Sequence, residues 1–324
     1  MKLDKSKIKL YSSIGSRATF GLVSLELAKE INNLMILTSD VSTSAGLDRF
    51  KQKYPEKYID VGIAEQNLIG VATGLSTSGY NVFTTTFAPF QTMRCFEQIK
   101  VNMGYMKKKI TMVGLASGVV LGNLGFTHCC IEDVSVMRSI PGMTVLSPAD
   151  CGEVAKSVFA AAKHPGPVYI RLTGSSNNPP VYNDDYNFQI GKGIELLKGR
   201  DISIFATGSM VYHSIEASKI LKKNNIEASV ININTIKPID KECVNKNSLE
   251  KKLIVTVEEH SIIGGLSSAV SESNSLIKNT PEQLSISLPD NYFNGGDYKD
   301  LLAKYNLNPL GISKLIMNKL KKNN

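Results

Sequence analysis

Asp60-Val61-Gly62-Ile63-Ala64-Glu65-Gln66-Asn67 decides how the first half of this chain is read. A short extended run at residues 58–61 gives way, at Glu65, to a helical pattern of small and apolar residues: Ile69, Gly70, Val71, Ala72 and Gly74. A carboxylate at a strand-to-helix junction, flanked by apolar side chains, is expected to be partly buried. Burial disfavours the charged form of a carboxylate, which then shares a proton readily with a heterocyclic nitrogen. Taken alone, Glu65 reads first as a first-turn helix residue favoured by the helix dipole, and the segments that follow change that reading.

The same alternation extends in both directions. Short apolar runs at 35–38, 82–85, 110–113, 143–147 and 168–172 read as strands. Helical patterns fall between them at 18–32, 64–78, 90–103, 132–139 and 149–162. This is the signature of an α/β fold, a largely parallel sheet covered by helices. A polar, Gly/Ser/Asn/Pro-rich stretch from Gly174 to Asn187 reads as a linker. The pattern then restarts, with strands at 202–206, 228–233 and 253–258. Thr207-Gly208-Ser209 is expected to cap one helix, and a Gly264-Gly265 turn leads into another. At 324 residues the chain exceeds the usual size of one core. Two domains are expected, 1–188 and 189–324, each a largely parallel sheet flanked by helices.

Composition narrows the function. No apolar run approaches the roughly 18–20 residues that span a bilayer, and the charged segment Met1–Lys9 has no apolar core behind it, unlike a signal peptide. The net charge is +8, but the lysines are dispersed and no groove-reading motif accompanies them. Neither nucleic acid nor membrane is expected as a partner, whereas anionic substrates suit the charge. The cysteines are odd in number (five), two are adjacent, and no C-x-x-C occurs. That argues against disulfides and zinc and for a reducing, cytoplasmic setting. Cys129 reads as a small buried apolar residue before a reactive thiol.

Three further segments follow Glu65. In Thr86-Phe87-Ala88-Pro89-Phe90-Gln91-Thr92-Met93-Arg94, two phenylalanines end a strand and open a helix. This sets aromatic faces at the carboxyl edge, where open α/β sheets bind ligands; alone, they would also pass as core residues. Gly122-Asn123-Leu124-Gly125-Phe126-Thr127-His128 is a Gly-containing loop that delivers one of only four histidines to a helix start. Ser139-Ile140-Pro141-Gly142-Met143-Thr144-Val145-Leu146-Ser147-Pro148-Ala149-Asp150 precedes Tyr169-Ile170-Arg171.

Together, and in this order, these segments resemble the C-terminal half of transketolase, a pyrimidine-binding domain followed by a C-terminal domain. Val257-Glu258-Glu259-His260-Ser261-Ile262-Ile263-Gly264-Gly265-Leu266 extends the resemblance into the second unit. The family's diphosphate-binding Gly-Asp-Gly does not occur; Gly295-Gly296-Asp297 runs on to Tyr298. The resemblance therefore implies one subunit of a split, thiamine diphosphate-dependent transketolase. Its partner would be an N-terminal-half subunit carrying the diphosphate domain and the Mg²⁺ or Ca²⁺, with no metal ligand from this chain. Two chain types would assemble as a heterotetramer.

The resemblance also implies roles. Glu65 would bond the ring nitrogen of the aminopyrimidine and favour the tautomer that activates the thiazolium carbon. Phe87, Phe90, Met93 and Asp40 would contact the cofactor, and Arg94 would support or face an interface. His128 would hydrogen-bond the donor ketose. Arg17, Ser44 and Arg171 would hold an acceptor phosphate, each arginine otherwise reading as a salt bridge. Two positions depart from the family. Ala116, twelve residues before His128, replaces a phosphate-binding histidine, and Leu124, four before it, replaces a hydroxyl-reading aspartate. The implied reaction is transfer of a two-carbon ketol unit to an aldehyde or keto sugar, with a more apolar acceptor pocket suited to a deoxygenated or bulky sugar. The alternatives are a β-type subunit of a 2-oxo acid dehydrogenase and a non-catalytic assembly partner. The T-H-x-x-I-E-D run and the paired phenylalanines favour transketolase.

Overall fold

The computed structural model describes residues 1–275 and 277–322. The first sheet takes β1 (Leu34–Thr38), β2 (Tyr58–Asp60), β3 (Asn81–Phe87), β4 (Ile110–Leu115), β5 (Thr144–Leu146) and β6 (Val168–Arg171). The second takes β7 (Ile194–Leu197), β8 (Ile202–Ala206) and β9 (Ala228–Asn232), then β11 (Leu253–Ser261) and β12 (Gln283–Leu288). Between β9 and β11, β10 (Thr235–Lys237) leaves its neighbours and joins the first sheet.

The strand orders are β10-β5-β6-β4-β3-β1-β2 and β12-β11-β8-β9-β7. Every pairing is parallel except β10 on β5 and β7 on β9. Parallel sheets are covered on both faces, which is why β4 and β8 are buried along their whole length. Alternation sorts the side chains. Ile36, Phe83 and Val113 pack on one face with Phe20, Leu27 and Phe159. Leu37, Val82 and Met112 pack on the other with Leu68, Met137 and Tyr169.

Helix boundaries differ from the sequence-based expectation in two places. The first helix begins at Lys5 rather than residue 18, capped by the Asp4 carboxylate on the Lys7 amide, and it kinks at Gly15 (φ +83°). A side chain at Gly15 would meet Ser176 backbone at about 3.0 Å, so the kink lets the returning linker pass. The expected helix at 90–103 is broken into Ala88–Thr92, Phe96–Ile99 and a π-helical Lys100–Tyr105. Gln66 Nε2 binds the Arg94 carbonyl at 3.2 Å, which turns that group away from the helical ladder.

Among the contacts that join the two units, three bear on the site. β10 extends the first sheet. Glu153, buried on the helix Cys151–Lys163, accepts from the Ala149 amide (2.6 Å), Tyr186 Oη (2.7 Å) and Asn232 Nδ2 of β9 (3.0 Å). Burial pushes its carboxyl up to about 7; the neighbouring Asp150 charge adds to the rise, and the neutral donors offset only part of it. The third contact is the Arg171 cluster described below. Among the described residues no helix is long and apolar enough to cross a membrane.

Candidate active site

The carboxyl ends of β1, β2, β3, β4 and β6 converge on one edge of the first sheet, and the candidate residues sit along it. Asp60 ends β2. Its carboxylate accepts from the amides of Asp40 (2.9 Å) and Gly62 (3.0 Å), from Thr38 Oγ1 (3.1 Å) and from Tyr58 Oη (3.2 Å). Partial burial alone would raise this carboxyl, but those four donors hold it below its ordinary value. It ties the turn after β1 to the turn before Glu65. Sequence alone assigns Asp60 no task; its place two residues before a glycine of positive φ (Gly62, +70°) is the signal that could have found it. Asp40 is exposed, at φ +54°, and contributes its backbone amide to this knot.

Glu65 opens the helix Glu65–Thr77 and is 5 % exposed. It faces a hollow of about 410 Å³ lined by Ile63, Ala64, Gln66, Asn67 and Arg94. The expected burial holds, yet the carboxylate has a countercharge: Arg94 Nη1 donates to Glu65 Oε1 at 2.8 Å.

Phe87 ends β3, and Phe90 lies in the short Pro89-initiated helix after it. Their centroids are 6.3 Å apart, edge to face, and the His128 ring lies 6.0 Å from one and 5.5 Å from the other. The His128 loop is anchored by a two-way backbone bridge between Gly118 and Cys130. It turns at Gly125 (φ +75°), whose carbonyl receives the His128 amide. Thr127 Oγ1 lies 3.0 Å from His128 Nδ1. Among the described residues Nε2 has no partner, so it is the nitrogen available to a ligand. The neighbouring Cys129 is buried, and burial pushes its thiol up to about 11. It is a packing residue.

Met93 caps the end of the helix Ala88–Thr92 and lines a hollow with Phe96, Ser135, Val136 and Ser139. Arg17 follows the kink at Gly15. It is half-buried and has no hydrogen-bond or ion-pair partner among the described residues; desolvation lowers its pKa from the ordinary value. Ser44, also half-buried and without a side-chain partner among the described residues, lies in the turn after β1. That turn and the Arg17 helix meet backbone to backbone: a Cβ on Gly21 would fall 2.0 Å from the Gly46 carbonyl oxygen.

Arg171 is a correction. Expected to hold a phosphate, it is 1 % exposed and turned inward. Its Nε donates to both oxygens of buried Asp133 (3.0 and 2.8 Å), and its Nη2 to the Glu259 carbonyl (2.7 Å). Asp133 also accepts from Tyr169 Oη at 2.7 Å. Glu259 in turn accepts from the Val119 amide, Tyr298 Oη and Ser209 Oγ. The Ser209 hydroxyl is thus spent on Glu259 and caps no helix. Withdrawing Arg171 would strand Asp133 as a buried charge, a loss of about 3–5 kcal/mol. Ala116 is buried at φ +52°, and Leu124 is 52 % exposed at the head of the His128 loop.

Two family models match the chain: the transketolase pyrimidine binding domain over residues 12–179 and the transketolase C-terminal domain over 191–312. The chain is 37 % identical over 310 residues to one subunit of the apulose-4-phosphate transketolase of Phocaeicola vulgatus, covering 95 % of this chain and 98 % of that one. It is 39 % identical over 258 residues to the 6-deoxy-6-sulfo-D-fructose transketolase subunit SqwH of Clostridium sp. strain MSTE9, covering 79 % of each. A solved structure described as a split gene transketolase, inactive beta4 tetramer, superposes with a TM-score of 0.85 at 35 % identity, covering 95 % of this chain and 99 % of that one.

Proposed function

This chain belongs to the transketolase family, and from that premise we propose that it is the pyrimidine-side subunit of a two-component, thiamine diphosphate-dependent transketolase. Residues 1–188 form its coenzyme-facing domain and 189–324 its C-terminal domain. The diphosphate and its Mg²⁺ or Ca²⁺ belong to an N-terminal-half partner, in a heterotetramer of two chain types. One observation carries the reading: a buried carboxylate, Glu65, opens onto a hollow at the same sheet edge as the ring cluster of Phe87, Phe90 and His128.

These residues fit an aminopyrimidine. Its flat ring takes aromatic packing, worth roughly 0.5–1.5 kcal/mol beyond burial, and its ring nitrogen takes a buried acid. Thiamine diphosphate, when bound, supplies the acidic carbon that becomes the nucleophile. Glu65 holds a proton at the ring nitrogen, in a setting dry enough for the two groups to share it. Phe87 and Phe90 keep water from the ring and fix its tilt. His128 Nε2 hydrogen-bonds the donor's oxygen. Arg17, desolvated and unpaired among the described residues, receives the anionic end of the substrate beside Ser44. Asp40 presents the turn after β1 to the coenzyme.

The acceptor is a non-standard sugar with an anionic terminus. Ala116 and Leu124 leave the pocket without the polar groups that read a common sugar phosphate, and the two similar subunits are named for apulose-4-phosphate and 6-deoxy-6-sulfo-D-fructose. The test is reconstitution with a diphosphate-domain subunit, thiamine diphosphate and Mg²⁺, using hydroxypyruvate as donor and a panel of deoxy, branched and sulfonated acceptors. Ketol transfer by the mixture and none by the pure chain is expected. Turnover by the pure chain would overturn the reading.

A further inference from the structure

Resting on the roles just given to Glu65 and Phe90, we propose that Arg94 is a placeholder for the aminopyrimidine, seated on two of its contacts until the coenzyme displaces it. The Arg94 guanidinium donates to Glu65 Oε1 at 2.8 Å and lies over the Phe90 ring, 4.1 Å from its centroid. A planar cation bearing N–H groups therefore takes the acceptor and the aromatic face that a flat heterocycle would use. Two planar groups cannot both lie on one face of Phe90 and both hold one carboxylate oxygen.

The backbone of Arg94 is pinned while its side chain is not. Its carbonyl accepts from Gln66 Nε2 at 3.2 Å, and its amide donates to the Pro89 carbonyl at 3.3 Å. The side chain is 44 % exposed, against 6 % for Glu65. It can swing into water by rotating its own torsions, with little loss of solvation, and nothing else need move. While it is seated, the buried carboxylate has a countercharge; once it leaves, the coenzyme's ring takes over that acceptor. Coenzyme binding is then an exchange, and its affinity is lowered by whatever holds Arg94 in place.

The test titrates thiamine diphosphate with Mg²⁺ into the reconstituted two-subunit complex by calorimetry, comparing the unaltered chain with Arg94→Met and Arg94→Lys. Methionine keeps the stem and removes the competitor. The coenzyme should then bind tighter, by roughly two- to fivefold, the range for releasing a half-exposed ion pair. Lysine keeps a charge for Glu65 but has no planar face for Phe90, so its gain should be smaller. A purely structural role would give weaker binding on removal, never tighter. Equal or weaker binding in Arg94→Met, with Arg94→Lys no tighter than the unaltered chain, overturns the placeholder. Glu65→Gln separates the two ideas. If it abolishes turnover while Arg94→Met leaves coenzyme affinity unmoved, the placeholder falls and the proposed function stands. If Glu65→Gln turns over normally, the proposed function falls first.

Discussion

Two of the arginine–carboxylate pairs among the described residues stand in contrast at the edge of one sheet. Arg94 meets Glu65 through one nitrogen, with its side chain 44 % exposed. Arg171 meets Asp133 with the two side chains 1 % and 0 % exposed, and a tyrosine hydroxyl and a backbone carbonyl complete the cluster. The chemistry of the pairs is the same and their surroundings set them apart. A buried pair closed by further hydrogen bonds is locked, because neither ion can leave without stranding the other. A rim pair is exchangeable, because water receives the arginine. The locked pair joins the two units, and the exchangeable one faces the hollow.

The sharpest way to break this contrast is to cut both pairs and compare. Asp133→Ala should lower stability by about 3–5 kcal/mol in urea unfolding, whereas Arg94→Met should lower it by about 1 kcal/mol or less. Equal losses would erase the distinction. Glu153 asks what a buried carboxylate does with no guanidinium at all. Its folded pKa, about 7, lies above the ordinary value of 4.5. The stability it contributes is therefore present in full below pH 4.5 and is lost as the pH rises through 7. The difference in unfolding free energy between the unaltered chain and Glu153→Gln should fall across that window by on the order of 3 kcal/mol. A flat difference would mean that the neutral donors stabilise the charge after all.

In the assembled enzyme, Glu65→Gln should reduce turnover by about 10²-fold or more, with an unfolding midpoint close to that of the unaltered chain, since the task proposed for the residue is chemical. Retained turnover would make the rim pair structural like the buried one. Arg17→Met should raise KM for an anionic acceptor by roughly tenfold, the scale of one charge-assisted hydrogen bond, and leave a neutral acceptor unaffected. A similar rise for both acceptors would return Arg17 to the scaffold.

What could be read from the sequence follows the same division. Glu65, Phe87, Phe90 and His128 sit at strand ends and loop turns, where position along the chain limits position in space; their motifs therefore lead to one edge. Arg171 also ends a strand, but whether its side chain turns out toward a ligand or in toward the core depends on Asp133, on a helix far away in sequence. No local pattern carries that choice. At the break in the expected helix the Arg94 carbonyl is likewise met by Gln66, 28 residues earlier in the chain. The main parallel strands are legible from their apolar runs, and the α/β class with them. β7 and β12 are not, because edge strands are only half covered and carry mixed residues. β10 is not, because three residues of Thr-Ile-Lys make a strand only when β5 is there to receive them.

That short strand has a consequence for how the molecule comes apart. Since Thr235–Lys237 lies deep inside the second unit's sequence yet is stitched to Val145 and Leu146, a protease nick in the 174–187 segment would sever the covalent link without freeing either fragment. A truncation ending at residue 188 would leave β5 as a raw edge, prone to pairing with its own kind.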